Sequence, residues 1–587
     1  METILVDIIP PLLQTLVDRI RQSCSLDAEK GSLGEEIKAI ELASDAFNTC
    51  TARALSSLRR RQNQLTSVHR LPNEILSLIF VLAIEHKHNS SPSNHRPIRI
   101  SGVCRRWRAV ALGTPRLWTC IDVAGPPNMM ETFFNRSGNA PLHISATMGR
   151  DPDREKDNAF YWSQHSSRWT SLALFGYDAT RASKIWEWAG QAAPSLEALK
   201  VYMKGYGAPG SNPVDLFKGN VPPRLHRITL VGFYLPLTNS MFTNLTKLHL
   251  GRMLDCPGTY IVDLLQAVRA SPCLEELRVE DVNPALGSAT WDELALGAPS
   301  NIDLPHLQRL SLLLLEAGVV QFILARVTIP PRANLKIDMD GVPRDQDLSH
   351  IFPPRPTNLR NLQSIDMLTF ASSDDRHHCV VLGGVTTDVD GGNPASLLSI
   401  GIRGVHSSGP VQKIMSSLGP TLSLMPVRLF SLEQFSSRKW SVNTLLDMLN
   451  HYPSIDALFF HSCHPKFVEA LTVTSSNHPC PGLRLLGLTE CAISDDALIS
   501  TARSRTQRNE DACPPGVRLE HLCLSDSHGG STAVREALSL LLEISLYSGT
   551  PLAVYVPKLA PPPTDGSGQL RRSCAQDHFG DVHGLKL

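Results

Sequence analysis

Charged residues are sparse in this chain and aromatic ones sparser: Asp, Glu, Lys and Arg make up 19% of 587 residues, and Phe, Trp and Tyr only 6%. Lys and Arg number 56, as do Asp and Glu, so no net field is available to hold a polyanion, and nucleic acid is not the expected partner. A hydrophobic fraction of 42% excludes a disordered chain. No apolar run approaches the ~18 residues of a transmembrane helix. The first residues carry Asp7 and Pro10-Pro11 instead of the basic start of a signal peptide. These absences predict a soluble protein of the cytoplasm or nucleus with no membrane partner. The 13 cysteines are odd in number and include no C-x-x-C pair, which is the usage of reduced thiols rather than of a disulfide framework. There is no Walker A loop and no G-x-S-x-G elbow, and no cofactor is implied.

What is present is organised in blocks. Residues 34–70 read as one helix with a 3-4 stagger through Ile37, Ile40, Ser44, Phe47, Thr51, Ala54, Leu58, Arg61, Leu65 and Val68. Its polar members suit a helix docked on its own protein better than a short coiled coil. From Leu71 the texture changes. Pro72, Asn73 and Glu74 favour a helix start, and the ten residues Ile75 to Ile84 are apolar except for Ser77. A helix apolar on all sides must be covered on more than one, so its second side calls for another protein surface or the rest of the chain. A polar loop from His86 to Pro97 follows. A second helix then sets Val103, Trp107 and Val110 on one face, stopping at Gly113 and Pro115, and Trp118 closes the unit. Leu71 to Trp118 is 48 residues, below the ~70 to 80 at which one core suffices, so the unit reads as one completed by a partner.

Beyond it, L-x-x-L-x-L segments recur, as in Leu196/Leu199/Val201, Leu225/Ile228/Leu230, Leu245/Leu248/Leu250, Leu274/Leu277/Val279 and Leu307/Leu310/Leu312. Later members are Leu362/Ile365/Met367, Leu397/Ile400/Ile402, Ile455/Leu458/Phe460, Leu483/Leu486/Leu488 and Leu519/Leu522/Leu524, with Trp169/Leu172/Leu174 as first member. Amphipathic stretches such as Ile261–Val268 and Val442–Leu449 precede several of them, each followed by a proline. Helix, breaker and short strand form a unit that cannot bury its own leucines, whereas stacked units share a core. Residues 557–587 read as a disordered tail.

Leu71-Pro72-x-Glu74-Ile75-Leu76-x-x-Ile79-Phe80, Val103-Cys104-Arg105-x-Trp107-Arg108 and Pro115-x-Leu117-Trp118 together resemble the F-box. Ahead of a leucine-rich array, they make the chain similar to the F-box/leucine-rich-repeat proteins expanded in fungi. The resemblance implies an α+α/β chain: an N-terminal helical segment (1–66), a small all-helical F-box (67–120), a leucine-rich-repeat solenoid (121–556) and the tail. It implies a non-catalytic substrate-recognition subunit of a Skp/cullin/F-box ubiquitin ligase, bound to a Skp-type adaptor and, through it, to a cullin complex, with a protein substrate held by the array. A stable scaffold that does not promote degradation is the alternative. By the family pattern, Leu71, Pro72, Ile75, Leu76, Ile79, Phe80, Val103, Cys104 and Trp107 form the adaptor interface and its supporting core. The polar stretch from His86 to Pro97 departs from that pattern and blurs the family's second short helix.

Other chemistry fits less well. Gly205-Tyr-Gly207-Ala-Pro-Gly210 matches G-x-G-x-x-G, but Pro209 and Pro213 obstruct a helix start and no acid stands where a ribose would need one, so an inter-repeat loop is expected. His461, Cys463, His464, His478 and Cys480 are zinc-capable atoms. Cys463 and Cys491, however, each occupy the ninth position of L-x-x-L-x-L-x-x-C, where a leucine-rich repeat buries Asn or Cys.

Two charge patterns remain. From His86 to Cys120 there is no acid, but there are Lys87, Arg96, Arg99, Arg105, Arg106, Arg108 and Arg116, which make either a solvated face or a contact for an acidic protein. Side chains alternate along a strand, so the residues beside the inward leucines point outward: Lys200 and Tyr202, Arg227, Lys247, Arg278 and Arg309. With only Glu276 and Glu280 against them, they predict a positive stripe for an acidic or phosphorylated substrate segment.

Overall fold

The computed structural model describes residues 11, 14–19, 22, 33–85, 95–147, 162–177, 193–208, 217, 221–287, 290–340, 347–373, 378–385, 396–403, 408–435, 441–474, 477–506, 518–525 and 532–547. Lys87, Gly210 and the expected tail 557–587 lie outside them. The chain divides into two compact units, one running to Trp118 and including Asn135–Gly138, the other comprising Thr119–Phe134 and the residues from Asn139 onward.

The first unit is helical. Helix α1 spans Leu33–Leu65, short of the expected end at residue 70. Thr66 is extended (φ −73°, ψ 145°), its hydroxyl donates to the Asn63 carbonyl at 2.7 Å, and a separate 3-10 turn, Ser67–Arg70, follows. Helix α2 covers Asn73–Glu85. Helix α3, His95–Gly102, begins inside the stretch expected to be a loop. Helix α4 is Arg105–Leu112 and excludes Val103, which the sequence places on its face. The reason is a cap: Cys104 is extended (φ −158°, ψ 170°) and its Sγ accepts the Trp107 backbone N–H. Leu76, Phe80, Ala111, Leu117 and Trp118 are buried, Phe80 lies 4.7 Å from Trp107 between ring centroids, and Trp118 Nε1 donates to the Ala111 carbonyl at 2.9 Å.

Among the described residues the second unit is built on a 17-stranded sheet. Its first strands are β1 (Cys120–Asp122), β2 (Leu142–Thr147), β3 (Trp169–Tyr177), β4 (Ala198–Met203), β5 (Arg227–Val231), β6 (Lys247–Pro257) and β7 (Glu276–Ala285). Strands β8 (Ile302–Asp303) and β10 (Val327–Thr328) form a separate parallel pair. The main sheet continues with β9 (Arg309–Leu313), β11 (Asn334–Asp340), β12 (Met367–Ser373), β13 (His378–Gly384), β14 (Ser396–Arg403) and β15 (Leu429–Glu433). It ends with β16 (Ala457–His461), β17 (Leu485–Thr489), β18 (His521–Ser525) and β19 (Glu543–Tyr547). Neighbours in the main sheet pair in parallel and in chain order, except that β11 pairs β14, β13 lies antiparallel between β14 and β12, and β12 then pairs β15 in parallel.

The register explains the sequence pattern. Ile144, Leu172, Leu199, Ile228, Leu248, Leu277 and Leu310 stand opposite one another across successive strands, as do Leu174, Val201, Leu230, Leu250, Val279 and Leu312 two residues on. All are buried, so each strand completes the core of the one before it. Helices Thr259–Arg269 and Val442–Asn450 stand where the amphipathic stretches predict them.

Two repeat members shift in register. The buried ladder positions of β12 are Leu368 and Phe370, three residues beyond the expected Ile365 and Met367, whereas in β14 the expected Ile400 and Ile402 are both buried but the row of Leu310 and Leu335 continues into Leu398, two residues earlier than Ile400. The inserted strand β13 is the cause. Gly383 faces Leu398 and Leu368 in the ladder, and a Cβ there would lie 2.9 Å from Ile365 Cδ1, so Ile365 fills the space that a missing side chain leaves.

Candidate functional site

Two surfaces carry the expected site residues, one in each unit. On the helical unit, α2 divides its apolar residues by helical spacing. Leu76 and Phe80 face inward at 0% and 2% exposure, whereas Ile75 (43%), Leu78 (52%), Ile79 (41%) and Leu82 (43%) are open to solvent. The open set follows i, i+3, i+4, i+7, which is one stripe of a helix. Val103 is exposed, Leu71 and Trp107 are half-buried, and Pro72 is exposed at the helix start. The expected residues therefore separate into a surface (Pro72, Ile75, Ile79, Val103) and a support (Leu76, Phe80, with Leu71, Cys104 and Trp107 partly covered). Leu78 and Leu82 belong to the surface too. Their spacing from Ile75 groups them on one side of the helix, but only the packing of Leu76 and Phe80 makes that side the open one.

The basic residues around this unit mostly brace it. Arg106 reaches the His69 carbonyl, the Leu71 carbonyl at 2.5 Å and Asn73 Oδ1 at 3.0 Å, tying the 3-10 turn and the start of α2 to α4. Arg96 donates to the Ile84 carbonyl at 3.3 Å and Arg108 to that of Ser101 at 3.0 Å, each satisfying a carbonyl near a helix end. Cys104 Sγ also lies 3.7 Å from His69 Nε2. Arg99 and Arg105 are exposed.

On the sheet, the register gathers the second set. Arg227, Lys247, Glu276 and Arg309 stand opposite one another along successive strands, Lys200, Thr229, His249 and Arg278 form the next row, and Tyr202, Val231, Gly251 and Glu280 the one after. The six expected residues thus share a face, but not as free cations. Arg227 pairs with Glu197 at 3.3 Å, an acid the stripe reading overlooked. Glu276 is held between Lys247 at 3.3 Å and Arg309 at 2.9 Å. Glu280 takes Arg278 at 2.6 Å and lies 3.5 Å from His249 Nε2. The face is a self-neutralising lattice.

Its ionisation follows from those contacts. Burial raises the Glu276 and Glu280 carboxyls, but the cations outweigh it and hold both below the usual range. Burial lowers the His249 pKa. Lys200 differs from the rest: burial, with Arg227 and Lys247 nearby, holds its ammonium below the usual range, and among the described residues no ion pair joins it. Tyr202 is buried, its pKa pushed up to about 12 by burial first, and it stacks on Phe175 at 5.2 Å between centroids. In the later strands the face loses charge at Ser431, Phe459, Gly487 and Cys523.

The zinc-capable residues are otherwise engaged. Cys463 Sγ donates to the Leu432 carbonyl at 3.2 Å and Cys491 Sγ to that of Phe460 at 3.4 Å, each tying its turn to the preceding strand. Burial pushes the Cys463 thiol up to about 12. Arg505, itself buried, donates to the carbonyls of Leu471, Pro479 and Cys480, setting a guanidinium against the loop that carries His478 and Cys480. Among the described residues no group of three or more His, Cys, Asp or Glu could hold a metal ion. Gly207 bridges to Met253, its N–H donating to the Arg252 carbonyl at 2.9 Å, so the glycine segment is packed against β6 there. Among the described residues no helix is long and apolar enough to cross a membrane.

Residues 68–124 match the F-box-like family. This segment is an F-box-like domain. It contains α2, α3 and α4 and the whole of their exposed apolar surface. Among solved structures, the crystal structure of the Rad7 and Elc1 complex in yeast is similar at 12% identity, covering 88% of this chain and 96% of that chain with a TM-score of 0.22. A superposition that loose carries no structural inference. No curated protein matches.

Proposed function

We propose that the chain is a non-catalytic substrate-recognition subunit of a Skp/cullin/F-box ubiquitin ligase. The observation that carries this reading is the stripe of Ile75, Leu78, Ile79 and Leu82, left open on an F-box-like domain whose other side is packed. A small helical unit with that much exposed apolar surface is suited to a protein partner. In this reading the stripe and Val103 seat a Skp-type adaptor, which brings the cullin, and Leu76 and Phe80 hold the stripe in place. The sheet of the second unit, read as a leucine-rich-repeat solenoid, presents its polar face to a protein substrate. Affinity purification tests the assignment. Co-recovery of a Skp-type adaptor and a cullin is expected, adaptor without cullin would favour a non-degradative scaffold, and recovery of neither would refute both.

Substrate capture is assigned to Lys200, Tyr202, Arg227, Lys247, Arg278 and Arg309. Because Arg227, Lys247, Arg278 and Arg309 are already paired, an acidic or phosphorylated segment would enter by exchange with Glu197, Glu276 and Glu280, beginning at Lys200, which no ion pair joins among the described residues. Charge-assisted hydrogen bonds contribute about 1.5–3 kcal/mol each, so an exchange of equals gains little where a phosphate merely replaces a carboxylate. Arg227→Gln, Lys247→Gln and Lys200→Gln together should remove the substrate from purified complexes while the adaptor stays bound. An unchanged co-purification profile would place the substrate elsewhere.

A further inference from the structure

The F-box-like segment is basic within a neutral chain: from residue 68 to 124, eight Lys or Arg stand against Glu74, Glu85 and Asp122. Backbone carbonyls take up Arg96, Arg106 and Arg108, but a carbonyl satisfies the N–H groups and leaves the charge uncancelled. Arg99 and Arg105 lack even that. Both are exposed, and among the described residues neither side chain makes an ion pair or a hydrogen bond. Helix α1 brings no relief, since its last turns carry Arg59, Arg60 and Arg61 and no acid.

These cations stand among open apolar side chains. Ile98, Val103 and Leu112 are 42%, 57% and 42% exposed. Arg99 follows Ile98 directly, and Arg105 comes two residues after Val103. On α4, Trp107 meets Phe80 while Val110 and Ala111 are buried, so Arg105, Arg108 and Leu112, spaced i, i+3, i+7, share the outer side. Apolar residues interleaved with arginine, whose planar head grips carboxylates, have the composition of a protein interface. Ile98, Val103 and Leu112 gain nothing from a phosphate backbone, whereas an acidic protein surface with apolar residues matches both halves of the pattern. Resting on the adaptor reading of the α2 stripe, we infer that the α3–α4 side docks an acidic surface of that same adaptor, with Arg99 and Arg105 meeting its carboxylates.

Stopped-flow association of the full chain with a purified Skp-type adaptor tests this, because exposed interface charges act on the approach of two proteins more than on their separation. Their field reaches about 30 Å at ~10 mM salt and about 8 Å at ~150 mM. The association rate should fall about tenfold between those salts while dissociation changes by less than about twofold. At ~10 mM salt, Arg99→Glu with Arg105→Glu should associate about tenfold more slowly than wild type, and Arg99→Lys with Arg105→Lys, which keeps the charge, should stay within about threefold. Both positions are exposed, so melting curves should match wild type; if the Glu pair melts lower, the salt dependence of the wild-type rate decides. A rate flat in salt and unmoved by the Glu pair would overturn the inference and leave the stripe assignment standing. A wild-type chain that binds no adaptor would refute the adaptor reading and this docking with it. A short single-stranded RNA held by wild type but not by the Glu pair, beside a flat adaptor rate, would give the arginines to nucleic acid instead.

Discussion

Replacing Ile79 with Asp tests the adaptor surface most directly. Ile79 is 41% exposed, Ile75 43%, Leu78 52% and Leu82 43%. Full burial of such a side chain is worth about 1.5–3 kcal/mol, so covering the remaining two-fifths of each contributes ~1 kcal/mol, and the four together ~4 kcal/mol. That is about half of the ~8 kcal/mol in a micromolar interface. Ile79→Ala should therefore weaken binding by about fivefold. Ile79→Asp does more, since it also strands an unpaired carboxylate against an apolar partner at a cost of several kcal/mol, and should abolish measurable binding. The fold should survive because the position is open to solvent, whereas Leu76→Asp, at 0% exposure, should unfold the helical unit. Isothermal titration against a purified Skp-type adaptor, with melting curves alongside, separates these outcomes. A folded Ile79→Asp protein that binds within twofold of wild type would sink the assignment of α2 as the adaptor surface.

Asp122 titrates at about 6 because burial raises it more than the Ala124 N–H lowers it. A raised carboxyl stabilises the fold at low pH and withdraws that stability as pH climbs from about 4 to about 6, so Asp122→Asn should gain of order 2 kcal/mol at pH 7.5 and nothing near pH 4, read from melting temperatures. Gly487→Val should destabilise the second unit by about 1–3 kcal/mol, since even a Cβ there would meet the Phe459 ring; a melting temperature unchanged from wild type would show that the ring moves aside freely. In the native protein a thiol reagent should label exposed Cys50 and Cys273 and spare buried Cys463 and Cys491 until denaturant is added. Rapid native labelling of Cys491 would remove its role in tying the strands together.

How far the sequence reached depended on how local each signal was. The leucines of β4 to β9 could be placed because each sits at a fixed distance from its own turn, and the helix over Thr259–Arg269 because its period is internal. The family of the small helical unit could likewise be recognised from its spaced Leu-Pro, Val-Cys-Arg-x-Trp and Leu-Trp signatures. Sequence alone could not divide α2 into an open and a closed side, because the helix is apolar all round and only packing against Trp107 and its neighbours decides that Phe80 turns inward while Ile79 does not. Strand β13 was invisible for a related reason: an antiparallel insertion changes which residues complete the ladder, and Ile365 moves from expected strand member to filler over Gly383. The charges show the same division. Their alternation along the strands was readable, but whether Arg227, Lys247, Arg278 and Arg309 stand free or paired depends on Glu197, Glu276 and Glu280, whose partners lie mostly on neighbouring strands. Sequence determined the rows; only tertiary register decided that the rows neutralise one another.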